Sequence, residues 1–322
     1  MPTLFCFGLG YSASNYIQDF GRRFDRIAGS VTTREKAAHI ACAGIGGHKV
    51  EAFVFDGTNA PTEITAALMD AAAVLTSVPP GEEGDPVLAQ FRSTIAGAPL
   101  LQSIVYLSTI GVYGDHAGAW VDEETPATPL SERSRARLAA EQDWQALGAN
   151  AGKPVAILRL SGIYGSGQNA LIQVARGNAK RIDKPGQVFN RIHVEDIAQA
   201  IDAAFAQCAN GIFNVTDDEP TAQGVPITFA ADLLGVPPPP ELSFDEAAKG
   251  MSPMALSFYA ESKRVRNDKL KSALGVRLRY PTYREGLRAL FESERVIASE
   301  AKQSSSSKIL DCFVADAPRN DG

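Results

Sequence analysis

Cysteine and histidine are scarce: four of each are scattered through 322 residues, with no C-x-x-C pair. That spacing excludes a disulfide framework and offers no cluster for a structural metal, so no metal is expected. Apolar runs are short, and none approaches the roughly 20 residues of a membrane-spanning helix. Positive charge is also lacking: 31 Lys and Arg stand against 37 Asp and Glu, a net charge of −6. A dedicated nucleic-acid binder carries a basic surplus, so neither nucleic acid nor membrane is an expected partner. The opening TLFCFGLG reads directly as a buried strand rather than as an export signal. Together with the dispersed thiols, this gives an expected location in the cytoplasm.

What is present is an ordinary globular balance, 45% hydrophobic and 21% charged, enough for one or two packed domains. Short apolar runs predict strands at Leu4–Phe7, Arg26–Thr32, Val50–Phe55, Ala72–Ser77, Ser103–Leu107 and Val155–Leu160. Helical patterns lie between them at Ser12–Phe20, Arg34–Ala43, Glu63–Met69 and Ser131–Leu147. The alternation predicts an α/β fold with a doubly wound parallel sheet of the Rossmann type. Residues 1–165 form its dinucleotide-binding domain, with 190–216 returning to it. After about residue 165, glycine, proline and short helices break the rhythm, and 166–292 read as a smaller substrate-binding region. Residues 293–322, with their serine run, read as a disordered tail.

The first strand runs into Gly8-Leu9-Gly10-Tyr11-Ser12-Ala13, a G-x-G-x-x-A turn opening a helix. Gly8 permits the tight turn, Gly10 lets a pyrophosphate approach the backbone, and Ala13 lets helix and strand pack closely. The N–H groups at the start of the helix, through Tyr11 and Ser12, face the phosphates. An NAD site places an acid at the end of the second strand. Here Thr32, Thr33 and Arg34 stand there instead, and Thr33 with Arg34 suits a 2′-phosphate, so NADP(H) is favoured over NAD(H). Asp56, after the third strand, either receives the adenine amino group or caps a turn. Ser77 and Val78, at the end of the fourth strand, complete the expected cofactor contacts.

Thr109 follows the fifth strand in SIVYLSTIGVYGD, where open α/β sheets place ligands. Farther on stand VDEETPATP (121–129), RLSGIYGSG (159–167), FNRIHVEDIAQAI (189–201) and GIFNVTDDEPT (211–221). In this order the motifs resemble the extended short-chain dehydrogenase/reductases, more closely the atypical members grouped with the NAD(P)-dependent epimerase/dehydratases. The resemblance runs from about residue 3 to 292. It implies a catalytic hydroxyl at Thr109 and, downstream, a Tyr-x-x-x-Lys pair whose tyrosine moves the proton and whose lysine holds the nicotinamide ribose. It also implies a homodimer. With Glu124, Pro126, Pro129 and Glu141 setting the register, the tyrosine position falls on Arg133 and the lysine position on Arg137.

Those arginines sit in SERSRARLAAE, 131–141. At about 100° per residue, Arg137, Ala140, Trp144 and Leu147 fall within about 40° of Arg133, whereas Arg135 lies about 200° away. Arg133 and Arg137 are therefore expected on the site side and Arg135 on the solvent side. Both stand near a helix N-terminus, which disfavours cations by roughly 0.3–1 kcal/mol each. A cofactor phosphate or ribose, a substrate anion, or Glu141 would offset that cost. Arg137 can replace a lysine as a donor. Arg133 cannot replace the tyrosine, because arginine does not titrate near neutrality. Tyr113, Tyr164 and His193 are the substitutes weighed as proton donor, with Tyr164, Arg191 and His193 on the substrate side and Asp196 as a helix cap or tie. The expectation is an NADP(H)-binding oxidoreductase or epimerase/dehydratase-like enzyme acting on a small-molecule carbonyl or carbinol, a nucleotide sugar among the candidates. The alternative is a non-catalytic NAD(P)-binding sensor or scaffold.

Overall fold

The computed structural model describes residues 2–301. The chain begins with β1 (Thr3–Phe7), whose five residues are all buried, then α1 (Tyr11–Phe20) and β2 (Arg26–Val31). Next come α2 (Arg34–Ala43), capped by Thr33, β3 (Glu51–Val54), α3 (Thr62–Met69) and β4 (Ala71–Thr76). Then α4 (Pro86–Gly97) leads to β5 (Ser103–Thr109), the short β6 (Trp120–Val121), α5 (Glu132–Ala151) and β7 (Val155–Leu160).

The second half is more broken: β8 (Gly162–Tyr164), α6 (Ala170–Ala175), β9 (Arg181–Asp183), β10 (Arg191–His193), α7 (Val194–Ala206) and β11 (Gly211–Val215). It closes with α8 (Gly224–Leu234), β12 (Glu241–Ser243), α9 (Phe244–Ala248), α10 (Pro253–Tyr259), β13 (Arg264–Val265), α11 (Asp268–Leu274) and α12 (Tyr283–Ala301).

The fold class read from the alternation is the fold found. Seven parallel strands form one sheet in the order β11-β7-β5-β4-β1-β2-β3. The strand order reverses beside β1, so the ends of β1, β4 and β5 open onto the crevice where such sheets bind ligands. Side chains alternate across the sheet. Leu4 and Cys6 join the layer of Tyr16, Ile17 and Ile197, while Phe5 and Phe7 join that of Phe91, Tyr106 and Trp144. β11 returns to the sheet edge in register with β7, Val215 opposite Leu160. A separate apolar cluster around Tyr164, Leu171, Tyr283 and Leu287 holds the second half together.

Three details differ from the sequence reading. Thr109 is the last residue of β5, not the residue after it. A helix passed over in the Pro- and Gly-rich stretch, α4, is set by Asp85, which accepts from the Val87 and Leu88 amides with Pro86 at the first helical position. The break placed at 293 comes later, because α12 anchors Tyr283, Leu287 and Leu290 in the core and continues to Ala301. The remainder of the expected tail, 302–322, lies outside the described residues.

An ion pair is buried between sheet and helix. Arg159 of β7 meets Glu141 of α5 at 2.8 Å, with side chains 4% and 1% exposed. Glu141 also accepts from Ser108 of β5 at 2.5 Å. The Arg159 guanidinium lies 4.7 Å over the Tyr113 ring. Removing one partner of such a pair strands a buried charge. Glu141→Leu should therefore cost about 3–5 kcal/mol in urea unfolding, and Glu141→Leu with Arg159→Met should recover most of it. A single variant as stable as the parent would contradict this assignment.

Candidate cofactor and substrate site

The turn after β1 is shaped by what glycine lacks. Gly8 has φ +87°, and a Cβ there would lie 2.7 Å from Ser77 Oγ and 3.3 Å from Val78 Cγ2. The Ser77 hydroxyl is directed at Gly8 O, 2.9 Å, and the Gly8 amide donates to Ser30 Oγ at 3.1 Å. Ser77 and Val78 therefore stand directly against the turn. Gly10 differs: a Cβ there would meet nothing within 4 Å. It is the N-cap of α1 and supplies no side-chain cap. The first helical bond runs from the Ser14 amide to Gly10 O, so the amides of residues 11–13 have no partner within the helix. Open space above uncapped amides fits a dinucleotide pyrophosphate. Ser12 and Ala13 are buried behind the turn. The Tyr11 hydroxyl reaches across to donate to Ser166 O at 2.8 Å, tying the turn to the second half.

At the end of β2, Thr33 Oγ1 accepts from the Lys36 amide. Arg34 is exposed and makes no hydrogen bond or ion pair among the described residues. Asp56 takes the turn role: its Oδ1 accepts from the Thr58 amide at 2.9 Å and hydroxyl at 2.7 Å, which holds its carboxyl below the usual range.

Beyond β5 a cavity of about 480 Å³ gathers Thr109, Arg133 and Arg137 with residues from the second half. Thr109 Oγ1 accepts from the Gly111 amide at 3.1 Å, which leaves its O–H free to donate. Arg137 donates to Leu107 O at 2.5 Å and lies 5.8 Å over the Tyr106 ring. Arg135 turns outward onto Glu132. Arg133 is on the cavity wall yet exposed, without a hydrogen bond or ion pair among the described residues. Glu141 is not its partner, because Arg159 and Ser108 have claimed that carboxylate.

Two proposed proton donors are displaced. Tyr113 is 0% exposed and donates to Asn214 Oδ1, beneath Arg159. It is packing, away from the cavity wall, because the turn after β5 folds its ring inward. His193 is 1% exposed and caps α7, its Nδ1 accepting from the Glu195 amide. Its ring lies between Tyr164 and Tyr280, at 5.1 and 4.1 Å. Burial pulls its pKa down to about 4, against a smaller opposing pull from Glu195. It is a neutral capping residue rather than a substrate ligand. Tyr164 and Arg191 line a second, adjoining cavity of about 270 Å³. Arg191 is engaged there with Phe189 O and Thr221 Oγ1. Burial pushes the Tyr164 phenol up, so it holds its proton tightly. Asp196 ties α7 down, accepting from the Arg279 and Tyr280 amides.

The first cavity holds a pair that sequence reading missed. Lys263 is 5% exposed and lies on its wall; its Nζ donates to Gly114 O at 2.7 Å and Glu261 Oε2 at 2.6 Å. In the linear chain both sit in ESKRVRND, a stretch that reads as a solvated charge run. Among the described residues no group of three or more His, Cys, Asp or Glu side chains is placed to hold a metal, and no helix is long and apolar enough to cross a membrane.

A doubly wound parallel sheet with an uncapped glycine turn at its switch point is the architecture of the dinucleotide-binding proteins. The family model for the NAD dependent epimerase/dehydratase family matches residues 61–216. A solved structure of a functionally unknown conserved protein from Silicibacter pomeroyi is 43% identical, covering 91% of this chain and 99% of that one at TM-score 0.81. A 3-diazoavenalumate denitrifying reductase from a Streptomyces species is 27% identical, over 75% of this chain and 91% of that one. The dTDP-glucose 4,6-dehydratase of Bacillus anthracis, solved in complex with NAD, shares the fold at 18% identity and TM-score 0.69, covering 91% of this chain and 97% of that one. The chain belongs to the NAD dependent epimerase/dehydratase family.

A neutral buried histidine binds fewer protons folded than unfolded, so its contribution to stability is full above the unfolded pKa and is lost as pH falls from about 6.5 toward 4. His193→Asn keeps a cap acceptor without that titration. Between pH 7 and 4, the wild type should lose roughly 2–3 kcal/mol more unfolding free energy than the variant. Parallel losses in urea titrations would contradict a buried neutral ring.

Proposed function

We propose that this is a cytoplasmic NADP(H)-dependent oxidoreductase or epimerase-like enzyme acting on a carbonyl or carbinol carbon held at Thr109. The observation that carries the reading is the open cradle at Gly10, on the same sheet edge as the Thr109 cavity. The uncapped amides of residues 11–13 would hold the pyrophosphate, and exposed Arg34 the 2′-phosphate. When bound, the nicotinamide gives or takes a hydride.

The chain's own groups do the rest. Arg137, braced on Leu107 O, offers its remaining N–H groups to the nicotinamide ribose. Thr109 directs its free O–H at the substrate oxygen. Arginine at 133 cannot pass a proton. With Tyr113 and His193 buried elsewhere, Lys263 takes that role: Gly114 O and Glu261 occupy two of its three ammonium hydrogens and leave one for the cavity. The dTDP-glucose dehydratase that shares the fold puts a nucleotide sugar among the substrate classes to be tested.

Calorimetric titration tests the binding reading. NADPH should bind more tightly than NADH, and Arg34→Gln should lower NADPH affinity about tenfold while sparing NADH. Gly10→Val should abolish binding of both at unchanged Tm, since the space it fills is empty of protein. If neither cofactor binds below about 1 mM, the reading fails. Tight binding with no turnover across carbonyl and nucleotide-sugar panels would support the alternative, a sensor or scaffold, which the absent tyrosine favours.

The proton source has its own test. Lys263→Met should lower turnover about a hundredfold at unchanged NADPH affinity. Lys263→Arg keeps the charge, but arginine holds its protons too tightly to pass one, so this variant should be similarly slow. A fully active Lys263→Arg would show that charge alone is required.

A further inference from the structure

We infer that the cavity's substrate is an amphipathic monocarboxylate, its acid group on Arg133 and its apolar body against Met254 and Phe258. This rests on the hydride-transfer reading above and names the substrate class for that site.

The charge on the wall points to a single anion. Four ionised side chains line the cavity: Arg133, Arg137, Lys263 and Glu261. Glu261 and Lys263 neutralise each other at 2.6 Å. Arg137 is directed at a main-chain carbonyl. Arg133 is left with no hydrogen bond or ion pair among the described residues, in the first turn of α5, where the helix dipole disfavours a lone cation. A carboxylate placed there meets a planar fork of donors, and the first-turn position becomes favourable for the pair. A sugar diphosphate brings more negative charge than one uncommitted guanidinium meets.

The neutral lining points the same way. A sugar needs donors and acceptors around its ring, but beyond the Thr109 hydroxyl and Lys263 several of the wall's neutral polar groups are used by the protein itself. Asn190 donates to Lys263 O at 2.9 Å and accepts from the Val265 amide at 2.9 Å. The Ser161 hydroxyl is spent on Val215 O, and that of Ser257 on Met254 O. Against this stands an apolar surface. Met254 and Phe258, 61% and 59% exposed, are the most exposed of the large apolar side chains described. They lie four residues apart on α10, hence on one face, and both border the cavity with Ile110 and Phe189. Apolar side chains left bare on a cavity rim mark a surface kept for a ligand.

The test uses 4-phenylbutanoate, its neutral amide 4-phenylbutanamide, and UDP-glucose, each titrated into the full chain with and without saturating NADPH. The acid should bind about tenfold tighter than the amide. Arg133→Met should erase that difference, and Phe258→Ala should weaken acid and amide by a similar factor. The proposal is overturned if acid and amide bind alike, if the acid does not bind at millimolar concentration, if Arg133→Met preserves the discrimination, or if UDP-glucose binds more tightly than the acid. NADPH binding is read in the same samples. Acid selectivity without NADPH binding would sink the hydride reading alone, and NADPH binding without acid selectivity would sink the substrate class alone.

Discussion

The buried meeting of Glu141 with Arg159 sets the position of α5 over the sheet. It joins α5 to β7, and Ser108 adds β5 to the same carboxylate. Two charges out of water are tolerable only in close contact, with their remaining hydrogen-bonding groups satisfied. The tolerance for sliding α5 along the sheet is correspondingly small. Arg137, one helical turn toward the N-terminus from Glu141, is thereby brought over the end of β5, where it reaches Leu107 O. Arg133, one turn farther, reaches the cavity mouth. The same guanidinium of Arg159 covers the ring of Tyr113, which explains why that tyrosine is structural.

Cofactor and substrate sides use opposite strategies. At the glycine turn the protein offers backbone only, with the space above Gly10 left open. Amides at a helix start bind phosphate without ordering long side chains. The cavity is lined by side chains from distant parts of the chain: Thr109 from the sheet, Arg133 and Arg137 from α5, Glu261 and Lys263 from the segment before β13. Arginines stand at 133 and 137, and arginine can bind but not exchange protons. The other charged groups on the cavity wall, Glu261 and Lys263, come from a different part of the fold.

Much of the scaffold was legible from residue order. β7 and α2 fall on their predicted bounds, and the other predicted strands and helices shift only at their ends. Apolar runs and caps are local signals, and G-x-G-x-x-A can be read without knowing what surrounds it. The helix after Asp85 was missed although its cap and first-turn proline were present, because the Pro-Pro-Gly stretch before them reads as loop. Helical angle correctly separated Arg135 from Arg137, since that depends only on the helix being one. It placed Arg133 among buried residues, whereas the helix end projects past the core and leaves it exposed.

Nearest-neighbour chemistry dictated the alternating elements, the glycine turn and the arginine at 133, because backbone preference and covalent identity need no distant partner. Long-range packing chose which polar groups lost their water. It sent His193 and Tyr113 into the interior, claimed Glu141 for Arg159, and brought Lys263 to the cavity. A side chain's proton affinity and freedom to touch a ligand follow from desolvation and contact, and both arise only when segments far apart in the chain are folded together.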